Sequence, residues 1–159
     1  MRFTIISVLA LTVAATASAA VATRDGPDYG SWDFSGSATF PVSGYTSYHV
    51  DATYHNSELA APIEVTCSYL YNPRDKTETA SCSDPSFSYD FGDVRSKANI
   101  LRAVGQANTV ATVTLKQTVG LWGSNVTVTG AKEFDFDFSG GAGFTGTAAG
   151  TIEAQTATA

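Results

Sequence analysis

The chain's two cysteines, Cys67 and Cys82, bracket the stretch CSYLYNPRDKTETASC, and the turn signal between them constrains the fold more than any other feature. Upstream, Ile63, Val65, Cys67, Tyr69 and Tyr71 share one parity and Glu64, Thr66 and Ser68 the other, the period of two of a half-buried strand. Asn72, Pro73, Arg74 and Asp75 break the run, because proline fixes φ and cannot donate to a ladder, and the asparagine before it readily starts a turn. Glu78, Ala80 and Cys82 again share a parity, so an antiparallel return predicts Cys82 opposite Cys67 at bridging distance. Closing such a loop stabilises a fold by about 3 kcal/mol in the chain-entropy picture. Reactive pairs are typically CxxC, and two thiols make only half a zinc site, so the pair reads as structural.

The same alternation recurs on both sides of this hairpin. Trp32, Phe34, Gly36, Ala38 and Phe40 share a face and residues 41–44 supply a turn; Thr46, Tyr48, Val50, Ala52 and Tyr54 then line the face of a second strand. Phe87, Tyr89 and Phe91 make an aromatic strand face, and further strands are predicted over 94–104 and 109–119, joined by a turn at 105–108. Two more follow at 125–129 and 133–138, the latter with Phe134, Phe136 and Phe138 inward and Asp135 and Asp137 outward. No segment shows sustained helical periodicity. Eight or so short strands separated by Gly, Pro, Asn and Asp predict an all-β, single-domain antiparallel β-barrel or sandwich over residues 31–138, with one hairpin disulfide.

The ends read differently. Met1 and Arg2 precede an apolar run, and Ala17, Ser18 and Ala19 supply the small residues of a cleavage site, so residues 1–19 read as a secretory signal peptide and the protein as secreted and extracellular. That run is too short to span a membrane. Residues 20–30 read as a flexible leader, and residues 139–159, rich in Gly, Ala and Thr, as a mobile tail with too little bulk to order itself. An oxidising export route suits the disulfide. The net charge of −6, with Lys and Arg scattered, argues against nucleic-acid binding, which needs a basic stripe.

Sites for chemistry are sparse. Gly141, Gly143 and Gly146 satisfy GxGxxG, but no helix or βαβ unit surrounds them. Asp135 and Asp137 lie about 7 Å apart on one strand face, a spacing open to acid–base work on a sugar but more simply a polar face that keeps an aromatic strand soluble. His49 and His55 stand in no ligand motif, and no GxSxG elbow occurs. The reading is therefore non-enzymatic, with no catalytic, cofactor or metal residues. Asn125 opens the NxS/T sequon Asn125-Val126-Thr127, a glycosylation candidate.

Three stretches resemble the fungal family of the major Alternaria allergen and its hypersensitive-response elicitors: Tyr29, Trp32 and Phe34 after a leader; the strand 45–52; and VTCSYLY through ETASCSDPSFSYDFG. The resemblance covers about residues 29–119 and implies a secreted β-barrel acting outside the cell as an effector, elicitor, virulence factor or allergen-like protein without catalysis. Cys67 and Cys82 match that family's hairpin disulfide. The cysteines that give some members a second disulfide or a covalent subunit link are lacking here, which leaves a monomer or a noncovalent dimer. Two readings follow. In the first, the outer surface engages a host or cell-wall protein. In the second, Tyr48, Tyr54, Tyr69, Tyr71, Phe87, Tyr89 and Phe91 line a groove for a small aromatic, phenolic or lipid-like ligand.

Overall fold

The computed structural model describes residues 27–139 and 143–159. In chain order the elements are β1 (Ser31–Thr39), β2 (Thr46–His55), β3 (Ile63–Asn72), β4 (Thr77–Cys82), β5 (Ser88–Asp90), α1 (Val94–Val104), β6 (Asn108–Leu121), β7 (Ser124–Asp137), β8 (Thr145–Glu153) and β9 (Thr156–Thr158). The strands form one antiparallel sheet in the order β4-β3-β2-β1-β8-β7-β6-β5, with β9 added on β7. That sheet curls into a nearly closed barrel, one of the two architectures, barrel or sandwich, that the alternation leaves open. Its two ends, β4 and β5, face one another across an unpaired seam.

Every long strand sends one parity inward. Trp32, Phe34, Ala38 and Phe40 from β1 and its end meet Val50, Ala52 and Tyr54 from β2, Val65 and Cys67 from β3, and Ala111, Val113, Leu115 and Val119 from β6. Aromatic pairs knit them together: Trp32 lies 5.1 Å from Tyr54, and Phe34 5.2 Å from Phe134. Fully burying one such side chain stabilises the fold by about 1.5–3 kcal/mol. At the hairpin between β3 and β4, Asn72 Oδ1 accepts from Arg74 N and Asn72 Nδ2 donates to Asp75, so the asparagine-proline turn forms as predicted. Cys67 pairs directly with Cys82, and the disulfide closes the hairpin at a Cα–Cα distance of 4.1 Å.

Four expectations are corrected. The two strands expected at 125–129 and 133–138 are one continuous strand, β7, paired with β6 along its whole length. The segment 94–104 is a helix, not a strand. Val94, Ala98 and Leu101 bury one helical stripe, Ile100 and Val104 stay exposed, and Gly105 ends the helix at φ 70 with its cap N–H bonded to Leu101 O. Lys97 pairs with Asp93 at 3.0 Å and donates to Val110 O, while Arg102 donates to Phe40 O and lies over the Phe144 ring. The helix thus closes the barrel end where β1 stops and β6 and β8 start.

The stretch 139–159, expected to be a mobile tail, supplies β8 and β9 and extends the barrel beyond the boundary at 138. β8 pairs with β1 from Ser31↔Glu153 to Thr39↔Thr145 and so sits in the middle of the sheet. Bulk is not what it contributes. Gly146 abuts the Phe138 ring and Gly150 lies beside Phe134, so small residues are required where neighbouring rings fill the space. Ile152, fully buried, completes its inward row.

The leader is corrected in part. Gly30 N is bonded to Asp28, and the Tyr29 carbonyl accepts the Tyr54 hydroxyl, which ties residues 28–30 to the barrel. The signal-peptide reading (1–19) and residues 20–26 of the leader lie outside the described residues, as does Gly141 of the glycine motif.

Candidate functional site: an aromatic cleft at the barrel seam

A cleft of about 360 Å³ opens at the seam between β4 and β5. Its walls come from five consecutive features of the fold: Tyr48 on β2, Tyr69 on β3, Ala80 and Cys82 on β4, Ser88, Tyr89 and Asp90 on β5, and Phe87 and Phe91 on either side of β5. Period-two alternation puts Tyr48 and Tyr69 on the inward parity, and they are direct partners in the ladder of β2 and β3. The disulfide ties β4 to β3, so Ala80, the ladder partner of Tyr69, and Cys82 extend the same wall towards the seam.

The rings form a connected surface. Tyr48 is 5.4 Å from Tyr69 and 5.1 Å from Phe91, and Tyr89 meets Phe91 edge-on at 5.5 Å. Phe91, buried, continues into the core through Phe136 at 5.6 Å, while the three tyrosines are half-buried and face the opening. The surface is thus rigid at its base and accessible at its rim. Ring pairs in such tilted and edge-on arrangements are each worth about 0.5–1.5 kcal/mol beyond their burial.

Burial raises the pKa of the Tyr48 phenol, with Arg95 pulling the other way and Tyr69 and Asp90 adding to the rise. Burial also raises Tyr89, with Tyr48 and Tyr69 adding to it. Tyr69 is raised by burial and by Glu78. At neutral pH the rim therefore presents uncharged phenols, each able to donate and accept a hydrogen bond. Among the described residues the hydroxyls of Tyr48 and Tyr89 bond to no other group. Such a cleft takes a flat, largely apolar guest by stacking and fixes it with a few polar contacts.

Five of the seven residues singled out as groove candidates, Tyr48, Tyr69, Phe87, Tyr89 and Phe91, converge here. The other two do not. Tyr54 is fully buried against Trp32 near the opposite end of β2, and its hydroxyl is spent on Tyr29. Tyr71 shares a face with Tyr69 but lies past the cleft towards the turn after β3, paired with Thr46 and Glu78. Parity alone told which face each occupied, not how far along the strand the seam opens.

A polar chain behind the seam went unread in the sequence. Gln117 is fully buried; its Oε1 accepts the Trp32 indole N–H at 2.9 Å, and its Nε2 donates to Asp84 at 2.9 Å. Burial pushes Asp84 upward, but the hydrogen bonds from Gln117 and Ser86 outweigh it, and its pKa lies below the usual range. Ser86 also donates to Thr118 O, so the loop between β4 and β5 is fastened to β6 and spans the top of the seam. The signal was present: Gln117 shares the inward parity of Ala111, Val113 and Leu115.

Elsewhere, a second hollow of about 390 Å³ is lined by Asp28, His55, Asn56, Ser57, Pro62 and Glu153. Its polar groups engage one another: Ser57 donates to Asp28, and Asn56 donates to the Asp28 carbonyl. His55 lies 3.2 Å from Asp33 and His49 3.1 Å from Asp51, both pairs on the outer face. Asp135 and Asp137 are exposed on the outside of β7, away from the cleft, and Asp137 is lowered by its bonds from Ser139. Asn125 is exposed at the second position of β7.

The fold and the cleft together define a nearly closed antiparallel barrel with an aromatic opening at its seam. Comparison with protein-family models, with curated proteins and with solved structures finds no match for the chain.

Proposed function

We propose that the protein is a secreted, non-enzymatic binding protein whose working surface is the seam cleft, and that its ligand is a small, flat aromatic or phenolic molecule. The observation that carries this reading is the convergence of Tyr48, Tyr69, Tyr89 and Phe91 on one opening whose rim phenols are uncharged, with the Tyr69 hydroxyl bonded to Glu78 and those of Tyr48 and Tyr89 unengaged among the described residues. The signal-peptide pattern at residues 1–19 and the disulfide support action outside the cell. The test is a titration of the mature protein with a panel of phenolic and lipid-like compounds, followed by intrinsic fluorescence. Saturable quenching that disappears in Tyr48→Ala supports the reading, and no response across the panel removes it.

A second reading, an effector or elicitor that binds a host or cell-wall protein, is favoured by β4. That strand pairs only with β3, exposes most of its side chains, and offers its outer backbone edge to an added strand. Cell death on leaf tissue that requires the oxidised protein, with a secreted host protein recovered above a denatured control, would favour this reading over the first.

A further inference from the structure

We propose that Asn125 is a site of N-linked glycosylation, carrying an oligosaccharide on the outer face of the hairpin of β6 and β7. The inference rests on the reading of the chain as secreted and goes beyond the cleft. The acceptor signature is complete: Asn125-Val126-Thr127, with no proline at the middle position. In the fold, β6 and β7 are joined by the two-residue turn Trp122-Gly123, and Asn125 is the second residue of β7. Period two turns Val126 into the core and leaves Asn125 outward.

The surroundings have room for a sugar. The residue across the ladder from Asn125 is Gly120, which has no side chain, and a Cβ placed there would meet only Asn125 Oδ1, at 4.0 Å. Among the described residues the Asn125 amide has no hydrogen-bond partner, in contrast with Asn56 and Asn72, whose amides hold turns. Thr127, the other residue the transferase must read, lies on the outward parity, half-buried between Thr118, whose hydroxyl is 3.0 Å from its own, and Thr158 of β9.

In the reaction the Asn125 Nδ2 loses a proton and bonds to the anomeric carbon of a polyprenyl-diphosphate-linked oligosaccharide. The bond from that carbon to the diphosphate oxygen breaks, and the lipid diphosphate leaves with the electron pair. The position has a consequence for the cleft. Asn125 stands near the turn between β6 and β7, whereas the cleft borders β5, which pairs with β6 at Ser88↔Lys116 and Tyr89↔Leu115. Asn125, opposite Gly120, stands four positions along β6 from Lys116, the partner of Ser88, so the attachment point is on the outer face of the hairpin and not in the cleft wall.

The test is translation of the full chain in the presence of rough microsomes, with leader cleavage and endoglycosidase-sensitive mass read separately. The expected result is a cleaved chain carrying one removable glycan, absent from both Asn125→Gln and Thr127→Ala. A cleaved but unmodified chain overturns the proposal. An uncleaved, untranslocated chain instead overturns the secretion reading; residues 20–159 behind an unrelated secretory leader then decide the site, modification supporting it and its absence sinking it. Circular dichroism of Asn125→Gln shows whether the variant still folds.

Discussion

Tyr48 stacks against Tyr69 across the ladder of β2 and β3 at a centroid distance of 5.4 Å and an angle of 35°, and it is tied at the same time to Phe91, 5.1 Å away. One ring thus joins the rim of the cleft to the barrel core. A guest stacked on Tyr48 meets a surface that is already ordered and loses little affinity to rearrangement.

Replacing Tyr48 with alanine removes the central stacking face and weakens binding of a flat phenolic probe about tenfold, the equivalent of roughly 1.4 kcal/mol. Tyr48→Phe keeps the ring and retains most of that affinity. Isothermal titration of the three proteins is the check, and equal affinities would rule the cleft out as the site.

The disulfide between Cys67 and Cys82 joins β4, an otherwise exposed edge, to the body of the sheet. Replacing both cysteines with serine lowers stability by about 3 kcal/mol, because the unfolded chain regains the freedom that the closed loop removed. Urea denaturation measures the loss. The β-rich circular dichroism should persist, since most of the core comes from other strands, while probe binding falls because Ala80 and Cys82 form one cleft wall.

Where side-chain bulk alternated, the sequence was legible: β1, β2, β3 and β7 all show in the parity of residues such as Trp32, Val50, Val65 and Phe136. The helix was hidden because Ile100 and Val104 are apolar yet exposed, which blurs the buried stripe of Val94, Ala98 and Leu101. The Gly105 stop was there to be read, but it fits a turn between strands equally well. The cleft was half legible. Its tyrosines could be placed on the inward face, but the seam depends on β4 and β5 being the two ends of the sheet, and that order is a property of the whole chain.

Gln117 links the Trp32 indole to the Asp84 carboxylate inside the barrel. Gln117→Leu leaves a buried indole N–H without an acceptor and costs about 1–3 kcal/mol. The same change alters the acid limb of stability. Because hydrogen bonds hold the folded pKa of Asp84 below its unfolded value, its contribution is complete above about pH 4 and disappears as the pH falls towards the folded value. Urea unfolding at neutral and at strongly acidic pH should therefore show a shallower acid loss for Gln117→Leu than for the native chain. An unchanged acid limb would mean that Gln117 does not set the Asp84 pKa.

Trp122 opens the turn between β6 and β7 at φ 53, followed by Gly123 at φ 76, the pair of left-handed residues that a tight hairpin turn of this hand requires. Left-handed backbone costs a residue with a Cβ about 1–2 kcal/mol, and asparagine tolerates it better than a bulky ring. Trp122 recovers part of this through an edge-on contact with Tyr29 at 6.2 Å, but the ring remains half exposed. Trp122→Asn is expected to raise stability by up to about 1 kcal/mol in thermal denaturation. A loss instead would show that the Tyr29 contact outweighs the strain.

Gly146 gives the most direct test of whether residues 145–153 belong to the barrel. A Cβ on Gly146 would lie 2.4 Å from the Phe138 ring, closer than real atoms approach, and Phe138 is itself stacked between Phe40 and Phe144. The ring has no free direction in which to retreat. Gly146→Val should accordingly destabilise the fold by about 1–3 kcal/mol through overpacking. Thr147→Val, one position along and facing solvent, should stay within about 0.5 kcal/mol of the native chain. Equal, negligible effects at both positions in urea denaturation would return this stretch to the status of a dispensable tail; the predicted contrast instead makes β8 the strand that joins β1 to β7, without which the barrel has no continuous wall.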